Sequence, residues 1–206
     1  MLKVSSLSNP SWRVWGEIKR HRTLEQSVES VYSAIDRSHE KLSSYREKII
    51  SGNLDDETIK QLDSVFMIPL TFLKNENKSL LNSYLQLFLN SLDAYKELVS
   101  RGIPEADAAS LVPRGIRLTV YKVFDLYNIL EGYIPLRCCD TAESEMMHTT
   151  DLEVATLKKI LPEYLTKNIG PKCASIGYCL EPKMCDRIKK FVGFDYTEEA
   201  HKFLSS

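Results

Sequence analysis

The chain has 206 residues and a mass of 23.6 kDa, a size typical of one well-buried domain rather than two. Lysine and arginine (27) nearly balance aspartate and glutamate (28), which excludes a global field that would draw the protein to nucleic acid or to an anionic membrane. The first residues lack a signal-peptide core, and polar residues interrupt the most apolar stretch, Leu80 to Leu92. We therefore expect a cytoplasmic protein with no nucleic-acid partner and no membrane partner.

Helix signals dominate the first half of the chain. Thr23 and Gln26 form a capping-box pattern, and apolar residues then recur at steps of three and four, which predicts a helix over about 24 to 50. Ser51-Gly52-Asn53 should end this helix, because glycine and asparagine tolerate left-handed backbone angles. Asp55 and Asp56 should open a shorter helix, which Pro69 limits.

A long helix with a wide apolar face is predicted from after residue 77 to about Ser100, and the width of that face implies a central, largely buried position. Gly102 and Pro104 should mark its end and the next start. The best strand candidate is 116–124, which is β-branched and aromatic with near-alternation. The stretch 126–131 is compatible with a helix.

Asp140 and Glu143 form a second capping pattern, which predicts a helix through about Leu161. Glycines and prolines among the later cysteines predict mostly loop, with a last short helix after Thr197. We expect the α+β class, predominantly α-helical, with long helices packed with a small antiparallel sheet. We expect a single domain over 1–206, with a core at 1–170 and a cysteine-containing tail at 171–206.

The chain has five cysteines, an odd number that does not fit a secreted disulfide framework. Three of them have five residues between neighbours: Cys173, Cys179 and Cys185. This spacing differs from the CxxC pairs of zinc ribbons, and small buried thiols are the favoured interpretation. A metal site at these three cysteines stays open, and its fourth ligand would come from Cys138, Cys139, His148 or His201.

Arg20-His21-Arg22 combines two guanidinium groups and an imidazole just before a predicted helix start. Guanidinium groups bind phosphate with a bidentate fork, and helix N-terminal amides favour anions, so this tripeptide is a candidate phosphate site. The alternative is a solvated charge run with Lys19. Arg137 lies between an apolar run and the second capping pattern, from where it could reach an anion or pair at the surface with Asp140 or Glu145.

Two groups of motifs resemble the flavin-dependent thymidylate synthases. The family's core pattern, which ends in Arg-x(4)-Ala-x(2)-Glu, is matched between Ala94 and Met147 by Ala94-Tyr95, Gly102-Ile103, Ala109, Val112-Pro113, Arg137, Ala142 and Glu145. The family's Arg-His-Arg hallmark and its surroundings are matched by Ser11, Arg13, Arg20-His21-Arg22, Glu29-Ser30 and Tyr32. Both groups occur in the family's order.

The resemblance implies an FAD-dependent methyltransferase of nucleotide biosynthesis that converts dUMP to dTMP. Methylenetetrahydrofolate would supply the carbon and NADPH the hydride, in a homotetramer with sites between subunits. By the family's motif, Arg20 and His21 would contact the flavin. Arg22, Glu29 and Ser30 would hold dUMP, and Arg137 would polarise its uracil ring. The family has no enzymic nucleophile, so no catalytic residue is expected; the chemistry belongs to the flavin.

The chain also departs from the family pattern. The arginine that ends the first motif is replaced by Val31, and a further arginine and an Asn-x-Arg pair are replaced by Ala109, Asp125 and Tyr127. The part of the family domain that precedes the tripeptide is absent. Two alternatives to the enzyme therefore stay open: a non-catalytic structural or regulatory subunit, and a small metal-binding helical module. A partner chain could supply the missing N-terminal part.

Overall fold

A computed structural model describes residues 2–74, 77–179, 181 and 185 of the chain. Helices dominate these residues, and three strands form one antiparallel sheet in the order β1-β3-β2. The strands are β1 (Lys3–Ser8), β2 (Glu25–Val28) and β3 (Val120–Asp125). No helix in this described part is long and apolar enough to cross a membrane. The predicted α+β, predominantly helical class with a small antiparallel sheet is confirmed.

The chain divides into two compact units. One consists of the described residues of 1–6, 21–25 and 122–206, and the other consists of 7–20 and 26–121. The unit of 7–20 and 26–121 contains six α-helices among its described residues: α1 (Trp12–Ile18), α2 (Val31–Ser44), α3 (Arg46–Ser51), α4 (Asp56–Asp63), α5 (Lys78–Ser100) and α6 (Glu105–Ala108). Short 3₁₀ turns lie at Leu70–Leu73 and Ala109–Leu111.

Helix α5 is the centre of this unit, as its sequence pattern predicts. It packs against α2 and α3, and its apolar face is almost fully buried. The residues of that face are Leu81, Leu85, Phe88, Leu89, Leu92 and Tyr95. Phe88 stacks on Phe66 with ring centroids 4.8 Å apart, which fills the core beside the helix.

Local capping signals place several ends correctly. The Asp55 carboxylate accepts a hydrogen bond from the Thr58 amide at 2.7 Å and caps α4 as predicted. Gly52 adopts a φ of 74° at the end of α3, a left-handed conformation that side chains with a Cβ rarely take. Ser11 caps α1 by accepting from the Val14 amide at 3.3 Å. Neither α1 nor β1 was predicted from the sequence.

The helix predicted over 24–50 is wrong in its first part. Residues Glu25–Val28 form β2, and the helical part consists of α2 and α3. Thr23 caps no helix, since its hydroxyl donates to Asn128 Oδ1 at 3.2 Å. Pairing with β3 satisfies the backbone of β2, and this tertiary interaction overrides the local capping pattern. The strand prediction over 116–124 is correct in kind but begins early, because the regular ladder starts at Val120.

The unit of 1–6, 21–25 and 122–206 holds the remaining described helices. They are α7 (Leu126–Leu130), α8 (Tyr133–Arg137), α9 (Ser144–Ile160), α10 (Glu163–Thr166) and α11 (Lys172–Ile176). Helix α9 starts four residues after Asp140, with Glu143 as its N-cap, while its end agrees with the prediction. Helix α11 lies where loop was expected. The helix predicted after Thr197 falls outside the described residues.

Candidate functional site

His21 and Arg137, which lie 116 residues apart in the sequence, meet in the unit of 1–6, 21–25 and 122–206. Arg137 Nε donates a hydrogen bond to His21 Nε2 at 2.6 Å, and both side chains are half-buried. A guanidinium N–H only donates, so Nε2 must be the acceptor and the ring proton must lie on Nδ1. The two motifs that carry the family resemblance therefore meet in one hydrogen bond between a guanidinium and an imidazole.

Tyr133 lies directly behind His21. Its buried ring meets the His21 ring edge to face, with centroids 5.1 Å apart and an interplanar angle of 77°. The Phe124 ring packs on the Tyr133 ring with centroids 5.5 Å apart. Tyr133 and Arg137 are the first and last residues of α8, four positions apart, which places them on the same helix face. One short helix thus supplies both the side chain behind His21 and the guanidinium bonded to it.

Asn128 and Gly132 hold the backbone next to the His21–Arg137 pair in place. Asn128 is fully buried, and its Nδ2 donates to the Thr23 carbonyl at 3.0 Å and to Asp125 Oδ1 at 2.9 Å. This clamp holds the backbone that follows Arg22 against α7. Gly132 precedes α8, and a Cβ there would approach Asn128 Oδ1 to 2.9 Å, so only glycine fits without a shift. Sequence reasoning missed both residues.

A buried ion pair lies beneath the Tyr133 hydroxyl. Lys122 is fully buried, and its Nζ contacts Glu153 Oε1 and lies 3.4 Å from the Tyr133 oxygen. Ser6 donates to Glu153 Oε1 at 3.0 Å. Burial lowers the pKa of Lys122, and the charge and hydrogen bond of Glu153 oppose that shift. Burial also raises the pKa of Tyr133, and the Glu153 charge adds to that rise.

The sequence contained one signal for this ion pair. Along β3 the buried positions alternate, and Lys122 occupies the inward position between Val120 and Phe124. A lysine on the buried face of a strand requires a paired acceptor, because an isolated buried charge is costly. The pattern could therefore have flagged Lys122, although it could not have identified Glu153 as the partner.

The other predicted site residues are placed as follows. Arg22 is exposed in the turn after His21. Arg20 belongs to the unit of 7–20 and 26–121, where it is exposed and its Nη1 lies 3.4 Å from Glu17. Ser30 is the N-cap residue of α2, and its side chain makes no capping bond.

Glu29 is engaged by groups of its own unit. Its carboxylate accepts from Arg37 Nη2 at 2.8 Å and from the Thr119 amide at 2.9 Å. Burial raises the pKa of Glu29, but the hydrogen bonds from Arg37 and Thr119 outweigh it, and the pKa is lowered overall. A nucleotide contact at Glu29 would therefore share a carboxylate that already stabilises the fold.

All five cysteines lie in the described residues, and no disulfide joins them. The interpretation of small buried thiols holds for Cys138, which is buried, but is wrong for the other cysteines, which are half-buried: Cys139, Cys173, Cys179 and Cys185. Burial raises the pKa of the Cys173 thiol. In the part of the chain that the structure describes, no group of three or more His, Cys, Asp or Glu side chains is arranged to hold a metal ion. His201 lies outside that part.

The fold and the candidate site define a mainly helical α+β protein in which a guanidinium is hydrogen-bonded to an imidazole. A family model described as "Thymidylate synthase complementing protein" matches residues 6–163. The chain belongs to this family, as the resemblance of its motifs predicts.

Three curated relatives, each named flavin-dependent thymidylate synthase, are similar to the chain. The protein of Pyrococcus furiosus is 26% identical over 131 residues, covering 62% of this chain and 51% of the relative. That of Pyrococcus abyssi is 25% identical over 134 residues, covering 64% and 52%. That of Thermococcus kodakarensis is 26% identical over 177 residues, covering 81% and 68%. The chain thus spans about half the length of the first two relatives.

Among solved structures, the chain is similar to the flavin-dependent thymidylate synthase ThyX of Helicobacter pylori, crystallised with FAD and dUMP. The TM-score is 0.52 at 17% identity, covering 82% of this chain and 73% of that one. This likeness supports the fold.

Proposed function

We propose that the chain is a flavin-dependent thymidylate synthase that binds FAD and dUMP and takes part in the reductive methylation of dUMP to dTMP. Methylenetetrahydrofolate is the proposed carbon donor and NADPH the proposed reductant. The observation that carries the proposal is the bond between His21 and Arg137, which joins the family's two motifs inside a chain that the family model matches over residues 6–163.

The residues present fit an FAD and a nucleotide. Both ligands carry phosphates, and dUMP carries an imide; these groups are recognised by cations and N–H donors, which Arg22, Arg137 and His21 supply. Residue by residue, we assign flavin contacts to Arg20 and His21, and nucleotide contacts to Arg22, Glu29, Ser30 and Arg137. The flavin supplies the hydride chemistry when bound, and these side chains bind and orient.

Ligand titrations test the proposal. The purified protein should bind FAD with a visible flavin spectrum, and the FAD-loaded protein should bind dUMP. Arg137→Gln should weaken dUMP binding about 10- to 150-fold, because a charge-assisted hydrogen bond contributes about 1.5–3 kcal/mol. Arg101→Gln is the matched control, since Arg101 is an exposed arginine paired with Glu97 on α5. Protein that binds neither ligand, alone or mixed with a full-length synthase, would overturn the proposal.

The chain's departures from the family favour a second candidate, a non-catalytic subunit that supports an active synthase. Two of the family's arginines correspond to Val31 and Ala109, and losing two charge-assisted contacts would weaken nucleotide binding by roughly 10²–10⁴-fold. Co-expression with a full-length synthase separates the candidates. A mixed oligomer in which only the synthase binds dUMP supports the subunit, whereas nucleotide bound to this chain supports the enzyme.

We further propose that the active assembly is a homotetramer or a complex with a partner chain. The proposed compartment is the cytoplasm, because an odd number of cysteines does not fit a secreted disulfide framework. We propose that residues 1–206 form one family domain, in which 171–206 is a tail beyond the family match. The metal-binding module at Cys173, Cys179 and Cys185 is not favoured, since the described residues hold no such cluster.

A further inference from the structure

We propose that Lys122, Tyr133 and Glu153 are positioning residues for the His21–Arg137 pair. The buried ion pair anchors the Tyr133 hydroxyl, and the Tyr133 ring then fixes the orientation in which His21 meets Arg137. The inference rests on the proposed function, because it assigns these three residues to the support of the flavin contact that His21 would make.

The contacts run without a gap from α9 to the candidate site. Glu153 on α9 holds the ammonium of Lys122 on β3, and that ammonium lies 3.4 Å from the Tyr133 oxygen. The Tyr133 ring lies 5.1 Å from the His21 ring, and His21 Nε2 accepts from Arg137. Tyr133 and Arg137 also share one turn of α8, so a displacement of the tyrosine moves both ends of the pair.

The hydroxyl of Tyr133 is held from several sides. Lys122 Nζ lies over the Tyr133 ring at 5.2 Å as well as near its oxygen. The hydroxyl also lies 3.6 Å from Met146 Sδ, to which it donates. A tyrosine held at its oxygen in this way cannot swing away from His21 without breaking buried polar contacts, each of which is costly to lose.

Packing alone does not explain an ion pair at this place. Replacing a buried pair by apolar side chains of similar volume is often neutral or stabilising, because both charges lose their hydration on burial. Lys122 is fully buried, Glu153 nearly so, and Glu153 Oε2 has no hydrogen-bond partner among the described residues. A buried ion pair that costs folding free energy is explained if the Lys122 ammonium donates a hydrogen bond to the Tyr133 hydroxyl. An apolar pair could not supply that donor.

The consequence at His21 is a single tautomer. Arginine can only donate, so His21 carries its proton on Nδ1 as long as the pair keeps its geometry. An unanchored Tyr133 would let the imidazole turn, and both tautomers would then be populated. Tautomer state reports ring orientation directly, and a residue that merely filled space would leave it unchanged.

Two variants test the proposal. Tyr133→Phe removes the anchored hydroxyl and keeps the ring. The double variant Lys122→Met with Glu153→Leu removes both charges and keeps the volume. Tyr95→Phe is the control, because Tyr95 is a buried tyrosine whose hydroxyl has no partner among the described residues. Nitrogen NMR of ¹⁵N-histidine protein measures the His21 tautomer, with His21→Gln to assign the signal, and a titration measures FAD affinity.

Both variants should weaken FAD binding about 3- to 10-fold and convert His21 from one tautomer to a mixture, while Tyr95→Phe changes neither. Wild-type FAD affinity and an unchanged tautomer in both variants would overturn the inference and leave the proposed function intact. If the wild-type protein binds neither FAD nor dUMP, alone or mixed with a full-length synthase, the proposed function fails. The His21 tautomer then tests the positioning role without FAD. A mixture of tautomers in either variant supports that role, and an unchanged histidine signal in both variants overturns it.

Discussion

Replacing Lys122 by methionine should lower the free energy of unfolding by about 3–5 kcal/mol. The change removes the cation from the Glu153 carboxylate, whose side chain is 7% exposed. Glu153 Oε1 then keeps only the hydrogen bond from the Ser6 hydroxyl, and Oε2 has no partner among the described residues. For a chain of 206 residues the melting temperature should fall by about 6–20 °C.

The double variant Lys122→Met with Glu153→Leu is the matched control, and its stability should lie within about 1 kcal/mol of wild type or above it. The coupling energy of the cycle should then be at least about 3 kcal/mol. A single variant that loses less than about 1 kcal/mol, or a double variant as unstable as the sum of the two single variants, would refute the assignment of a dehydrated ion pair.

Two further outcomes follow from the structure. Gly132→Ala should destabilise by about 1–3 kcal/mol in thermal unfolding, because its Cβ would lie 2.9 Å from Asn128 Oδ1. Gly16→Ala, inside α1 with nothing within 4 Å, should instead stabilise by about 0.5–1 kcal/mol, and equal effects at both glycines would contradict this reading. Glu29 has a lowered pKa, so its contribution to stability is present above about pH 4.5 and is lost as pH falls through the folded value. Glu29→Gln should accordingly flatten acid unfolding below about pH 4.5, and an unchanged acid profile would exclude Glu29 as a source of the effect.

Local signals in the sequence predicted the elements whose ends depend on local contacts. Asp55 caps α4 through the amide three residues later, and Gly52 ends α3 with its own backbone angle. The apolar repeat of α5 identified a buried central helix, because that helix is long enough for its periodicity to be unambiguous.

The errors lie where distant residues decide the structure. Thr23 has a capping pattern, but its hydroxyl bonds to Asn128, 105 residues away, and β3 draws the following residues into a strand. The start of α9 was misplaced because Asp140 and Glu143 are both acceptable caps, and only the structure selects Glu143.

The candidate site shows the same division. The sequence identified His21 and Arg137 as separate motif residues, and the family resemblance was needed to relate them. Their hydrogen bond depends on the placement of α8 beside residues 21–25, which no local pattern encodes. The role of Lys122 is visible in the sequence only as a charge on an inward strand position, and its partner on α9 is 31 residues further along.

Helix α8 is five residues long, well below the length at which an isolated helix is stable in water. Arg137 at its last position is therefore held by burial of Tyr133, Ile134 and Pro135 rather than by the helix itself. Amide hydrogen exchange in α8 should consequently report on the docking of this segment, and a ligand held by Arg137 should slow that exchange along the whole turn. Ligand affinity and amide exchange in α8 would then both report the same equilibrium between the docked and undocked segment.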